Sequence, residues 1–271
     1  VAPRMRRSGR AALVALVAGM VMAVVAPGAV AAPPDRPMPG DGFHIQFAGT
    51  LAVPSGMRVV EVDGADTAAE QVARLAQDGH LVACYMSAGS WEDWRADADT
   101  FPVAALGRPL DGWPGERWLD VRSPTVLDLV RERLAVLAAK GCRAVEFDNV
   151  DGYANNSGFD LTRSDQLAYD RALAEAARAV GLSPGLKNAT DLVPALAPSF
   201  DWALNEECVS YRECGAYRPF TRAGKPVFVL EYGDVPFARV CRVAARFGLS
   251  AQVKHLDLDA YARRCPPVRA G

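Results

Sequence analysis

Eight short apolar runs recur between amphipathic stretches, and this rhythm limits the folds open to the chain more than any other feature. The runs are His44 to Ala48, Arg58 to Asp63, Leu81 to Ser87, Arg143 to Asp148, Ser183 to Asn188, Trp202 to Glu206, Pro226 to Tyr232 and Ala251 to His255. Most are continuous rather than alternating, which suits parallel strands covered on both faces. The stretches between them carry helix signals. Thr67-Ala-Ala-Glu70 reads as a capping box opening a helix that ends at Gly79. Ser123-Pro124 gives an N-cap with proline at the first helical position, and Leu127, Val130, Leu134 and Leu137 follow as one apolar stripe closed by Gly141. A third helix is expected from Ser164 to Val180.

Strand followed by helix, eight times over, predicts a single-domain α/β fold, the (β/α)8 TIM barrel. A doubly wound open sheet is the rival, but no G-x-G-x-x-G turn follows the first run. The Pro/Gly-rich stretch Phe101 to Trp118 reads as a long loop after the third strand.

The start of the chain is set apart by composition. Arg4, Arg6, Arg7 and Arg10 precede an apolar run from Ala11 to Val25 and the small residues Ala29 to Ala32, the pattern of a secretory signal peptide over residues 1–32. A retained membrane anchor is the alternative. Residues 33–42 read as a flexible stub, leaving 43–271 as the folded domain. Removal of residues 1–32 takes away four arginines and no acids, so the formal charge of −2 becomes −6. That balance argues against nucleic acid, which calls for a basic face, and no stable membrane span is expected in the mature chain. A secreted monomer is the expectation. Six cysteines without a C-x-x-C pair, and only three histidines, point to disulfides rather than a zinc site. Cys208–Cys214 is the first pairing expected and Cys241–Cys265 the second.

In a TIM barrel the catalytic groups stand at the carboxyl ends of the strands. Here those ends are polar: Gln46, Asp63, Ser87, Asp148, Lys187 with Asn188, Glu206 with Glu207, Glu231 with Tyr232, and Lys254 with His255. Several converging acids suit glycosidic cleavage, in which one carboxyl protonates the leaving oxygen and another attacks or activates water. Trp91, Trp94, Trp113, Tyr153 and Tyr232 offer flat faces for sugar rings. Each residue also has a plainer reading: Asp63 as a helix cap or ion-pair partner, Trp91 as a loop plug, Lys187 as a strut between acids. Asp148, Asn149 and Asp151 lack the spacing of a calcium loop, and no metal or other cofactor is called for. No G-x-S-x-G elbow or H-E-x-x-H occurs, which disfavours serine and zinc hydrolases.

Seven blocks in order resemble glycoside hydrolase family 114, the endo-α-1,4-polygalactosaminidases. They are Cys84-Tyr-Met-Ser-Ala-Gly-Ser-Trp-Glu-Asp-Trp-Arg95, Gly115-Glu-Arg-Trp-Leu-Asp-Val-Arg122, Glu146-Phe-Asp-Asn-Val-Asp-Gly-Tyr153, Gly185-Leu-Lys-Asn188, Asn205-Glu-Glu-Cys208, Tyr211-Arg-Glu-Cys214 and Leu230-Glu-Tyr232. Phe147 stands where proline is expected in many relatives. The resemblance implies a TIM barrel that hydrolyses α-1,4-linked galactosamine polysaccharide, with Asp148 and Glu206 as the catalytic pair. Asp148 is expected as nucleophile or base and Glu206 as proton donor, with Glu207 a neighbour that could exchange with Glu206. Asp63, Tyr85, Ser87, Trp91, Asn149, Asp151, Tyr153, Lys187, Asn188, Glu207, Glu231 and Tyr232 are the expected substrate-binding residues; Asp63, Asp151 and Glu231 are the candidates to receive a sugar ammonium. A carbohydrate-binding barrel without catalysis, or a glycosidase for another aminosugar polymer, remain the alternatives.

Overall fold

The structure is a computed structural model that describes residues 35–267. The signal-peptide reading of residues 1–32, and the first two residues of the expected stub, lie outside the described residues. Among the described residues the first elements are β1 (Phe43–Ile45), β2 (Val59–Asp63), α1 (Ala69–Gln77) and β3 (Leu81–Ser87). Three short strands follow: β4 (Ser90–Glu92), β5 (Leu106–Pro109) and β6 (Glu116–Leu119). Next come α2 (Pro124–Lys140), β7 (Ala144–Asp148), α3 (Arg163–Ala179), β8 (Ser183–Lys187), α4 (Val193–Leu196) and β9 (Trp202–Glu206). The last elements are α5 (Cys208–Tyr211), α6 (Arg218–Arg222), β10 (Val227–Glu231), α7 (Phe237–Phe247), β11 (Ser250–Val253) and β12 (Arg263–Arg264).

Eight strands, β1-β2-β3-β7-β8-β9-β10-β11, pair in parallel and in chain order, one for each apolar run. Their side chains alternate between two cores. Phe43, Ile45, Val59, Leu81, Ala83, Ala144, Trp202, Leu204, Phe228 and Leu230 fill the inside. Val60, Val62, Val82, Val145, Phe147, Leu186 and Val229 face outward against Val72, Val130, Leu134 and Leu173 of the surrounding helices. Phe43 on the first strand stacks on Phe228 of the seventh, with ring centroids 4.2 Å apart. Only a rolled sheet brings those strands together, so the architecture is TIM-barrel-like. No pairing joins β11 to β1. Instead β12 runs antiparallel to β11, and Arg264 reaches from it to the His44 ring (2.7 Å) and the Phe43 carbonyl (3.4 Å). Burial, then Arg264, lowers the His44 pKa to about 4, so the ring is neutral and accepts from the guanidinium.

Glycine is required at the barrel floor. A Cβ on Gly185 would lie 2.3 Å from the Trp202 indole, so the bare backbone makes room for the largest interior side chain. Three disulfides tie the outer layer: Cys84–Cys142 joins β3 to the end of α2, Cys208–Cys214 closes the turn after β9, and Cys241–Cys265 joins α7 to the strap that carries β12. No helix among the described residues is long and apolar enough to cross a membrane.

Two local expectations change. The capping box at Thr67 does not form: α1 starts two residues later, with Ala68 as N-cap and no side-chain cap. Asp63 organises that turn instead, accepting from the amides of Ala65 and Asp66 while its carbonyl accepts from Thr67. The true box is at α3, where Thr162 and Asp165 bond reciprocally. The stretch from Phe101 to Trp118 is not a plain loop. It contributes β5 and most of β6 to a small antiparallel sheet, ordered β4-β6-β5, over the barrel mouth.

Candidate active site

Alternation decides which strand-end groups enter the barrel. On β7 the inward positions are Ala144, Glu146 and Asp148; on β8, Gly185 and Lys187; on β9, Trp202, Leu204 and Glu206. These meet at the Lys187 ammonium, which lies 3.1 Å from Glu146 Oε1, 3.4 Å from Asp148 Oδ2 and 3.6 Å from Glu206 Oε2. Lys187 is buried and Glu146 fully so, whereas Asp148 and Glu206 keep 20% and 27% of their side chains exposed. The two outer carboxylates are therefore the ones a ligand can touch.

Each is fixed by neighbours. Glu206 Oε1 accepts from the Tyr232 hydroxyl (2.5 Å) and Oε2 from Asn188 Nδ2 (3.2 Å). Asn188 Oδ1 accepts the Glu206 amide (2.9 Å), locking strand and side chain together. Burial by itself pushes Glu206 up, but Lys187 and the bonds from Tyr232 and Asn188 outweigh it and hold the carboxyl below its ordinary range. Asp148 Oδ1 accepts the amide of Asn149, whose own side chain donates to Ser87 and Ser90. Asn149, Asn188 and Glu207, each just past a strand, have φ of 60°, 47° and 64°. Left-handed backbone at non-glycine residues costs energy and gathers at functional sites. Gly89 permits one of these turns, since a Cβ there would lie 1.8 Å from the Asn149 carbonyl oxygen.

Beside Asp148 and Lys187 opens a cleft of about 500 Å³. Its walls are the small sheet, with Arg108, Asp111 and Trp113, and the segment after β7, with Asn149, Asp151 and Asn155. Burial, then the charge on Asp148, pushes Asp151 up to about 6. Tyr85 lies inside the barrel, its ring 5.8 Å from the Lys187 nitrogen. The Tyr153 hydroxyl bonds to Asp191 at the rim.

Several expected binding residues are elsewhere. Glu231 points outward, because its neighbour Tyr232 points in; it is fully buried and accepts from the amides of Val209 and Ser210 and the Ser210 hydroxyl. It holds α5 and is closed to a ligand. Asp63 is committed to Arg95 (2.8 Å), which also binds Glu92 (2.7 Å). Trp91 donates its indole N–H to the Ala98 carbonyl and packs into the outer core, so it plugs a loop. Ser87 is fully buried in a chain running through Ser90 to Glu116. Glu207 follows Glu206 at the strand end and takes the N-cap position of α5. Sequence reasoning missed Glu116, whose carboxyl burial pushes up to about 7 against the Ser90 bond, and Glu61, inside the barrel on β2. No strand-end signal marks either.

A rolled parallel sheet whose mouth holds two accessible carboxylates across one buried ammonium has the groups that glycosidic cleavage needs, and the chain's relatives make the class a glycoside hydrolase. The sequence profile of glycoside-hydrolase family GH114 matches residues 25–268, and the chain belongs to that family. Among solved structures it resembles Ega3 of Aspergillus fumigatus in complex with galactosamine, at 35% identity and a TM-score of 0.81, covering 88% of this chain and 100% of that one. The glycoside hydrolase domain of PelA from Pseudomonas aeruginosa shares the fold, with a TM-score of 0.62 and 17% identity over 82% of this chain and 97% of that domain. An uncharacterized protein of Deinococcus radiodurans is 29% identical over 200 residues, 64% of this chain and 63% of the relative, so less than two thirds of that relative's length is spanned.

Proposed function

We propose that the protein is a secreted, endo-acting glycosidase that cleaves α-1,4-linked galactosamine polysaccharide with Asp148 and Glu206. The observation that carries this is the single Lys187 ammonium within 3.6 Å of both carboxylates, at the edge of an open cleft. Two oxygens held by one nitrogen stand at most twice that distance apart. The short end of this range suits a retaining pair, whose carboxyls are about 5 Å apart. Asp148 is the attacking carboxylate and Glu206 the proton donor. Burial favours the protonated form of Glu206, and Lys187, Tyr232 and Asn188 oppose it. A sugar that draws those partners onto its own hydroxyls lets burial return the proton.

The cleft supports a cationic, extended ligand. Asp111, Asp148 and Asp151 outnumber Arg108 and Lys187 along it, and Trp113, half exposed in the turn between β5 and β6, is a ring platform. An unacetylated galactosamine is an ammonium at neutral pH, and Ega3 was solved with galactosamine. Three disulfides fit export to an oxidising compartment. The test is mass spectrometry of products from a panel of galactosamine polymers of graded N-acetylation. Internal cleavage to oligosaccharides, strongest for the unacetylated polymer, is expected. Binding with no product, or release of single sugars alone, would overturn the reading.

A further inference from the structure

Beneath the catalytic pair the barrel carries charge that the cleavage scheme does not use. Glu61 and Glu146 are both fully buried. Glu146 gives one oxygen to Lys187, while its other oxygen and both oxygens of Glu61 have no donor. Glu61 on β2 and Glu146 on β7 both point into the barrel from the two strands that flank β3, where a contact between them would join orphaned oxygens. Two ionised carboxylates offer four acceptors and no donor, so that contact closes only when one carries a proton. Charge leads to the same result. Glu146, Asp148 and Glu206 stand within 3.6 Å of Lys187, Glu61 is a fourth carboxyl in the same interior, and the Tyr85 and Tyr232 phenols lie beside them. One buried cation does not balance four anions, two of them fully buried, and an uncompensated buried charge is expelled by protonation.

We propose that Glu61 and Glu146 share one proton and act as positioning residues, so that the Lys187 charge stays directed to Asp148 and Glu206. The shared proton joins Glu146 Oε2 to one Glu61 oxygen, leaves Glu146 Oε1 as the anchor for Lys187, and removes one negative charge from the barrel axis. Burial is the main cause raising both carboxyls, and Lys187 opposes it; Glu146 sits at about 7 and Glu61 well above its ordinary value. Such a pair titrates as a unit.

The role of the pair in cleavage rests on the proposed function, so the test has two arms. Glu61→Gln keeps the size and supplies an N–H in place of the shared proton. In the folding arm, thermal melting of the wild type is followed against pH. Both carboxyls bind protons more tightly folded than unfolded, so the stability they contribute is complete below the ordinary glutamate pKa and is lost from about 7 upward, first as Glu146 ionises and then as the shared proton leaves. Glu61→Gln should flatten that decline; an identical decline in wild type and variant would overturn the shared proton. In the activity arm, the alkaline limb of the kcat profile should move upward by about one pH unit or more in Glu61→Gln, since no second negative charge then develops under Lys187. A limb that stays in place, with the melting arm as expected, would overturn the positioning role alone. Wild-type protein without cleavage activity would contradict the glycosidase reading and leave the melting arm to decide the shared proton.

Discussion

Glu206 has three restraints, and the Tyr232 hydroxyl is the one that can be removed with least disturbance, because the ring stays in place. Tyr232→Phe deletes a donor to the ionised carboxylate, so the proton affinity of Glu206 rises. For Glu206 as proton donor, the alkaline limb of the kcat/KM profile moves to higher pH by up to about one unit. An unshifted limb would show that the bond does not set the Glu206 pKa. This bond also shows what was legible in the sequence. Tyr232, Asn188 and Lys187 stand at strand ends, where barrel logic looks for chemistry. Strand-end position alone does not tell inside from outside: Glu231 and Tyr232 are adjacent, and a one-residue difference in register separates a ligand for α5 from a ligand for Glu206. Glu61 was not legible, because it sits between Val60 and Val62 in a run that reads as plain core.

At the scale of elements, the strands were legible because most are continuous apolar runs, as sheets covered on both faces demand. The small sheet was not, because β4, β5 and β6 are three or four residues long and alternate too briefly to show a period. Their pairing comes from tertiary context, with β4 following β3 directly into the mouth. Helix α1 shows the same override: a good local capping signal at Thr67 loses to Asp63, whose carboxylate gathers two amides and Arg95. The Cys208–Cys214 and Cys241–Cys265 bonds match the expected pairs, and Cys84–Cys142 takes the remaining two cysteines. Cys84–Cys142 bridges 58 residues of chain, the longest of the three loops, so loop entropy gives it the largest effect on the unfolded state. Replacing both cysteines by alanine should lower stability by about 4 kcal/mol in chemical denaturation. A loss under about 1 kcal/mol would mean that β3 and α2 are held by packing alone.

The described fold places a cleft with more acids than bases above an axis where one ammonium serves several carboxyls. The apolar interior ends at Leu204 and Leu230, and above it the inward positions become Glu61, Glu146, Lys187, Asp148, Glu206 and Tyr232. The fold supplies rigid strand ends that hold two carboxylates on one ammonium, and the inserted sheet builds one wall of the cleft beside them. Cleavage by this pair is the centre of the account. The most direct measurement compares wild type, Asp148→Asn and Glu206→Gln on unacetylated galactosamine polymer, with reducing-end release as readout and circular dichroism as the check on folding. Each variant should keep the fold and lose about a hundredfold to ten-thousandfold in rate, the scale of a positioned acid or base. Near-normal turnover in both folded variants would contradict the account.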